Sequence, residues 1–103
     1  MIHVIAIIRA QPGKRGELLA AFRPLVPIVL QEVGCLAYEP TIDAETDMER
    51  QDRWGEDVLT MVERWESVPH LNAHLAAPHM AEFRQQHGHL IMGLELHILK
   101  PGI

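Results

Sequence analysis

Residues Met61 to Met80 read MVERWESVPHLNAHLAAPHM, and the order of signals within them decides the fold. Val58 to Trp65 is apolar and β-branched enough to be a buried strand. Ser67 is a good N-cap and Pro69 suits a first helical turn, so the strand passes directly into a helix carrying His70 and His74. Pro78 then opens a second short helix with His79, Met80 and Phe83. A strand end, a helix start, three histidines and Trp65 converge here, and any chemistry of the chain is expected around the hollow they enclose.

Working outward, Ile2 to Ala10 is a strand and Pro12-Gly13 a turn. Lys14 to Val33 places Leu18, Phe22, Leu25, Val29 and Val33 at the three-four spacing of one helical face. Pro24 and Pro27 predict a kink or break near Arg23, because each removes an amide donor and crowds the preceding turn. Gly34 is placed to cap the helix. Cys35 to Ile42 is the second strand, Val58 to Trp65 the third, Ser67 to Gln86 the second helical region and Leu90 to Leu99 the fourth strand. The order β-α-β-β-α-β is that of an α+β, ferredoxin-like fold with an antiparallel sheet.

Neither side of the outer strands is clearly a water face. Ile2, Val4, Ala6 and Ile8 oppose His3, Ile5, Ile7 and Arg9, while Leu90, Met92, Leu94, Leu96 and Ile98 oppose Ile91, Glu95, His97 and Leu99. Two helices cover one side of four strands, so an apolar second side calls for a second subunit, sheet against sheet, in a homodimer.

The chain has 103 residues, the size of a single domain spanning 1–103. Its one cysteine, Cys35, has no internal partner and reads as a small buried hydrophobe, which fits a reducing, cytoplasmic setting. The apolar run Ile2 to Ile8 is too short to span a bilayer and has no basic leader, so no membrane association is expected. Residues 43–57 hold seven carboxylates against Arg50 and Arg53, a balance equal to the net charge of −5 of the whole chain. That loop reads as a solvated connection. With an acidic loop and no basic stripe elsewhere, nucleic-acid binding is disfavoured.

Several short motifs now stand together: Glu32-x-Gly34-Cys35-x-x-Tyr38, Glu63-x-Trp65-Glu66-Ser67, His70-Leu71-x-Ala73-His74-Leu75, Pro78-His79-Met80 and the ending Ile98-Leu99-Lys100-Pro101-Gly102-Ile103. In combination they resemble the antibiotic biosynthesis monooxygenase family, and within it the bacterial quinol monooxygenases, over nearly the whole chain. Similarity fades only in the acidic loop. The resemblance implies a dimeric ferredoxin-like fold of the α/β-barrel type, no metal, haem or flavin cofactor, and O₂-dependent oxidation of an aromatic dihydroxy compound to a quinone. The haem-degrading relatives are less apt, since they use an Asn near Ala6 and a Trp at the position of His74.

A hydroquinone is electron-rich, and losing a phenolic proton makes it far easier to oxidise. The protein therefore needs an apolar pocket and a proton acceptor, for which histidine is suited by its ordinary pKa near ~6.5. His74 is the first candidate, with Glu63 and His79 behind it. A structural, hydrogen-bonded histidine is the alternative for His74, and an ion pair with Arg9, Arg64 or a histidine is favoured for Glu63. Trp65, Tyr38, Met61, Met80 and Phe83 are candidates to hold a flat aromatic substrate, or else to fill the core with Met92. His70 and His74 have helical metal-ligand spacing, but Leu71 stands where a zinc-protease motif carries Glu, so no metal is expected. Two other functions stay open: isomerisation of a small carbonyl compound, and a non-catalytic ligand-binding dimer.

Overall fold

Strand β1 (Ile2–Ala10) is the hub of the computed structural model, which describes residues 1–103. It pairs antiparallel with β3 (Val58–Trp65) on one side and with β4 (Ile91–Leu99) on the other, and β2 (Cys35–Thr41) adds to the far edge of β3. The spatial order β2-β3-β1-β4 is that of the ferredoxin-like fold. Three helices, α1 (Arg15–Leu30), α2 (Val68–Leu75) and α3 (Pro78–His87), follow the strands, with a 3-10 turn over Gly88–Leu90 leading into β4. None is long and apolar enough to cross a membrane.

The core lies where the helices face the sheet. Leu18, Phe22, Leu25 and Val29 of α1 are buried, as their spacing requires. They join Val4, Ala6 and Ile8 of β1 and Leu59, Met61 and Trp65 of β3 in one apolar cluster. Inward and outward positions alternate along β3, which carries Glu63 inward with Leu59, Met61 and Trp65.

Four expectations need correction. First, α1 has no break near Arg23: it runs as one helix through Pro24 and Pro27. Both prolines and the residues four before them, Ala20 and Arg23, are exposed, so water can solvate the carbonyls that lose a partner. Second, the helix ends at Leu30 with Gln31 as its cap, leaving Val33 82% exposed and Gly34 beyond the cap. Gly34 instead turns the chain into β2 with φ +85°, and its carbonyl accepts from the Glu66 amide at 2.9 Å.

Third, the sheet side turned away from the helices is mixed rather than largely apolar. Register sets His3, Ile5, Ile7 and Arg9 beside Val58, Thr60, Val62 and Arg64, with Glu95 and His97 on β4. The exposed apolar residues of β4, Leu94, Leu96 and Ile98, pair with Ile8, Ala6 and Val4 and so lie on the helix side, past the edge of helical cover. Fourth, a register shift leaves Met92 without a partner on β1, so Ile91 pairs with Ala10 and reaches the same side as Leu94. Met92 is 60% exposed and fills no core, and Leu90 is buried in the 3-10 turn instead of the strand.

The acidic loop is tied down at its base. Asp43 accepts from the amides of Trp54 and Gly55, Asp57 accepts from the Gly13 amide at 2.9 Å, and the Arg15 guanidinium donates to the Gly55 carbonyl. The two amide bonds hold the Asp43 carboxyl below its usual range. The Arg9 guanidinium lies 5.7 Å from the Trp54 ring centroid. Glu45, Asp47, Glu49, Asp52 and Glu56 remain exposed, in keeping with a solvated surface.

Candidate active site

Helix α2 starts where Ser67, extended at φ −161°, turns its hydroxyl toward the His70 amide, and Pro69 needs no donor in that first turn. Its inward face consists of Leu71 and His74, three residues apart. His74 is 2% exposed. Its ring lies 4.6 Å from the Trp65 ring and 5.4 Å, edge on, from the Tyr38 ring. The chain breaks at Ala76-Ala77 and restarts at Pro78 as α3, which brings Met80 and Phe83 to the same hollow.

That hollow is a cavity of about 140 Å³ between the sheet and helices α1, α2 and α3. The volume is on the scale that admits one benzene-sized ring. Tyr38, Met61, Glu63, His74, Met80 and Phe83 line it, joined by Phe22 and by Leu94 and Leu96 at the open β4 edge. Three polar atoms are left over in this apolar setting. Tyr38 Oη, Glu63 Oε2 and His74 Nε2 make no hydrogen bond within the chain, yet no buried side-chain polar atom is sealed off without a partner. Each is thus free to meet a small molecule.

The structure brings together most of the residues singled out from sequence. Tyr38, Met61, Met80, Phe83, Glu63 and His74 share the cavity. Trp65 stands behind it, fully buried, stacked on His74 and donating its indole N–H to Glu63 Oε1 at 2.9 Å. His79 lies outside, lining a shallow surface groove. Glu63 has no ion pair, contrary to the favoured expectation. Arg9 and Arg64 pair on the opposite sheet side, so the indole, two residues along the same strand face, is its partner. His70 also departs from the cluster, its Nδ1 lying 2.6 Å from Ser67 Oγ.

Glu32, which the sequence offers only as part of a motif, and Arg84 are the charged residues of the site to which sequence reasoning gave no role. Glu32 follows α1, and its Oε2 lies 2.8 Å from both His74 Nδ1 and His79 Nε2. No periodicity signals it, since it sits in a turn 42 residues from His74. Arg84, one turn past Met80, reaches the cavity rim and donates to the Leu75 carbonyl at 3.4 Å. Glu32, His74 and His79 offer three ligand atoms within 4.8 Å of one another, the one set able to hold a metal ion. It replaces the His70 and His74 pair as the metal alternative.

Electrostatics prepare two bases. Burial pushes the Glu63 carboxyl up to about 6, with the Trp65 N–H pulling the other way and the Glu32 charge adding to the rise. Burial holds His74 below its ordinary value, against the hydrogen bond to Glu32. Burial raises the Tyr38 phenol far above its usual range, so it acts as a neutral donor. The Cys35 thiol is pushed up to about 11 by burial and by the charges of Glu32 and Glu63, which keeps it protonated and inert.

The antibiotic biosynthesis monooxygenase family model matches residues 1–86. The chain belongs to this family. It is 39% identical over 105 aligned residues to the probable quinol monooxygenase YgiN of Escherichia coli strain K12, with all of both chains covered. Among solved structures, PA3566 from Pseudomonas aeruginosa is similar at 27% identity and a TM-score of 0.77, covering 97% of this chain and 92% of that one. Rv0793 from Mycobacterium tuberculosis is similar at 26% identity and the same TM-score of 0.77, covering 97% of this chain and 93% of that one. Family membership gives the chain a monooxygenase-type function on a ferredoxin-like scaffold.

Proposed function

We propose that the chain, acting as one domain over 1–103, is a cofactor-independent monooxygenase that oxidises a hydroquinone or similar aromatic dihydroxy compound to a quinone with O₂. The observation that carries this reading is the ring-sized apolar cavity with three unpartnered polar atoms on its wall. An aromatic ring fits between Met61, Met80 and Phe83, and its hydroxyls reach His74 Nε2 and the Tyr38 or Glu63 oxygens. His74 takes the phenolic proton at Nε2 and the resulting phenolate gives up electrons to O₂; one oxygen atom enters the ring and the other leaves as water with the protons released, so hydroquinone and O₂ become a hydroxyquinone and H₂O, while the apolar walls keep bulk water out. Trp65 serves by holding His74 and Glu63 rather than by touching substrate. His79 acts through Glu32. The likeness to a probable quinol monooxygenase supports the substrate class.

The test is an oxygen electrode with a panel of hydroquinones and a no-enzyme control. Turnover above the uncatalysed rate, unchanged after exhaustive chelation, is expected. Activity lost with EDTA and restored by zinc or iron would make Glu32, His74 and His79 metal ligands. Melting-temperature shifts with a quinone but no O₂ consumption would favour the ligand-binding dimer. Turnover of a small carbonyl compound without O₂ would favour the isomerase.

The working unit is proposed to be a homodimer in the cytoplasm. The apolar side chains of edge strand β4, Met92, Leu94, Leu96, Ile98 and Leu99, are 42–62% exposed in the single chain, more than an edge strand ordinarily shows to water. Leu94 and Leu96 also line the cavity, so a second copy over β4 would close it. Light scattering at micromolar concentration is expected to give twice the 11.7 kDa of one chain. A stable monomer would remove the dimer from the proposal.

A further inference from the structure

Glu32 is held from every side. Its amide donates to the Val29 carbonyl at 2.9 Å and its carbonyl accepts from the Cys35 amide at 3.1 Å, so the backbone is fixed in the turn between α1 and β2. Its side chain, 15% exposed, presents a single oxygen to two imidazoles on different helices. A carboxylate can only accept, so both facing nitrogens must carry hydrogen: His74 at Nδ1 and His79 at Nε2. In a neutral His74 the proton on Nδ1 leaves Nε2 with a lone pair, and that nitrogen is the one without a partner in the chain.

We infer that Glu32 is a positioning residue that fixes His74 as the Nδ1–H tautomer, with Nε2 bare as a proton acceptor toward the cavity, while His79 anchors the same carboxylate oxygen from the solvent side. The logic is that of any histidine base oriented by a carboxylate. In water a free imidazole prefers the other tautomer, so without Glu32 the nitrogen turned to the cavity would carry the proton. The alternative is that Glu32 merely ties the end of α1 to α2 and α3. The catalytic meaning of the tautomer rests on the function proposed above, whereas the tautomer itself does not.

The experiment is nitrogen NMR of the histidine rings at neutral pH, with no substrate present, on wild type and Glu32→Leu. Leucine is close to the Glu32 side chain in size and has neither donor nor acceptor, whereas the oxygen of a glutamine could still accept from His74 Nδ1. The expected wild-type spectrum has protonated Nδ1 and unprotonated Nε2 at His74, and in Glu32→Leu the proton moves to Nε2. In parallel, Glu32→Leu should lower kcat/KM for a hydroquinone by roughly 10²-fold, through kcat rather than KM. A structural tie would lower the melting temperature and leave the tautomer alone. Should Glu32→Leu fail to fold, Glu32→Ala removes the acceptor and asks the same question. A wild-type His74 protonated on Nε2, or one tautomer in both proteins, overturns the inference. No turnover by wild type with the tautomer shift intact would sink the monooxygenase reading and leave the role of Glu32 standing.

Discussion

His74→Ala is expected to lower kcat/KM for a hydroquinone by roughly 10²-fold or more, the lower range of general acid-base contributions. Nε2 of His74 is the one imidazole nitrogen that reaches the cavity unpartnered. Secondary structure by circular dichroism and the native mass should be retained, because Ala is a good helix former, with a lower melting temperature from the space left beside Trp65 and Tyr38. Burial holds His74 below 6.5 and pushes Glu63 up to about 6, so both are bases at pH 7. Wild-type kcat/KM should therefore be level near neutrality and fall as pH drops through about 6 and below, where protonation removes the Glu63 charge and the His74 lone pair. This places the acid limb lower than an ordinary histidine would. A folded His74→Ala with wild-type turnover returns His74 to a structural role and moves the search for the base to Glu63.

The second large effect is on stability. Gly34→Ala should destabilise the fold by about 3 kcal/mol, of which ~1–2 kcal/mol is the left-handed backbone and the rest the overpacking of His70. Gly34 has φ +85°, and an added Cβ would come within 2.3 Å of His70 Cγ and 2.7 Å of His70 Cβ. The second distance matters more, because a Cβ cannot swing aside as the end of a long side chain can. For a domain of this size the loss corresponds to a melting temperature lower by roughly 10 °C or more. Repeating the substitution in a His70→Gly background, measured against His70→Gly alone, should recover the packing part and leave the backbone part, because only glycine removes the His70 Cβ. An unchanged melting temperature for Gly34→Ala would mean that the turn relaxes without strain.

The element order was legible in the chain because local physics dominates it. Apolar, β-branched runs mark β1 and β3, three-four spacing marks the buried face of α1, and Ser67, Pro69 and Pro78 start α2 and α3 where helical chemistry requires. Errors fell where the outcome depended on which side faces water. Two prolines are harmless in α1 because both are exposed, a fact that rotation of the helix against the sheet decides. Likewise charge alone points Glu63 toward Arg9 or Arg64, but the sheet register sends both to the other side.

By itself, then, the sequence determined the ferredoxin-like order of elements, which follows from signals within each strand and helix, and it named as candidates six of the side chains that wall the cavity, His74 and Glu63 among them. Only the tertiary structure decided that Glu32 belongs to the site. Its role depends on a turn closing against two helices more than forty residues away, and hydrogen bonds between elements leave no period in the chain. The same holds for the unpartnered state of Tyr38 Oη, Glu63 Oε2 and His74 Nε2, because whether a polar atom is satisfied depends on everything packed around it.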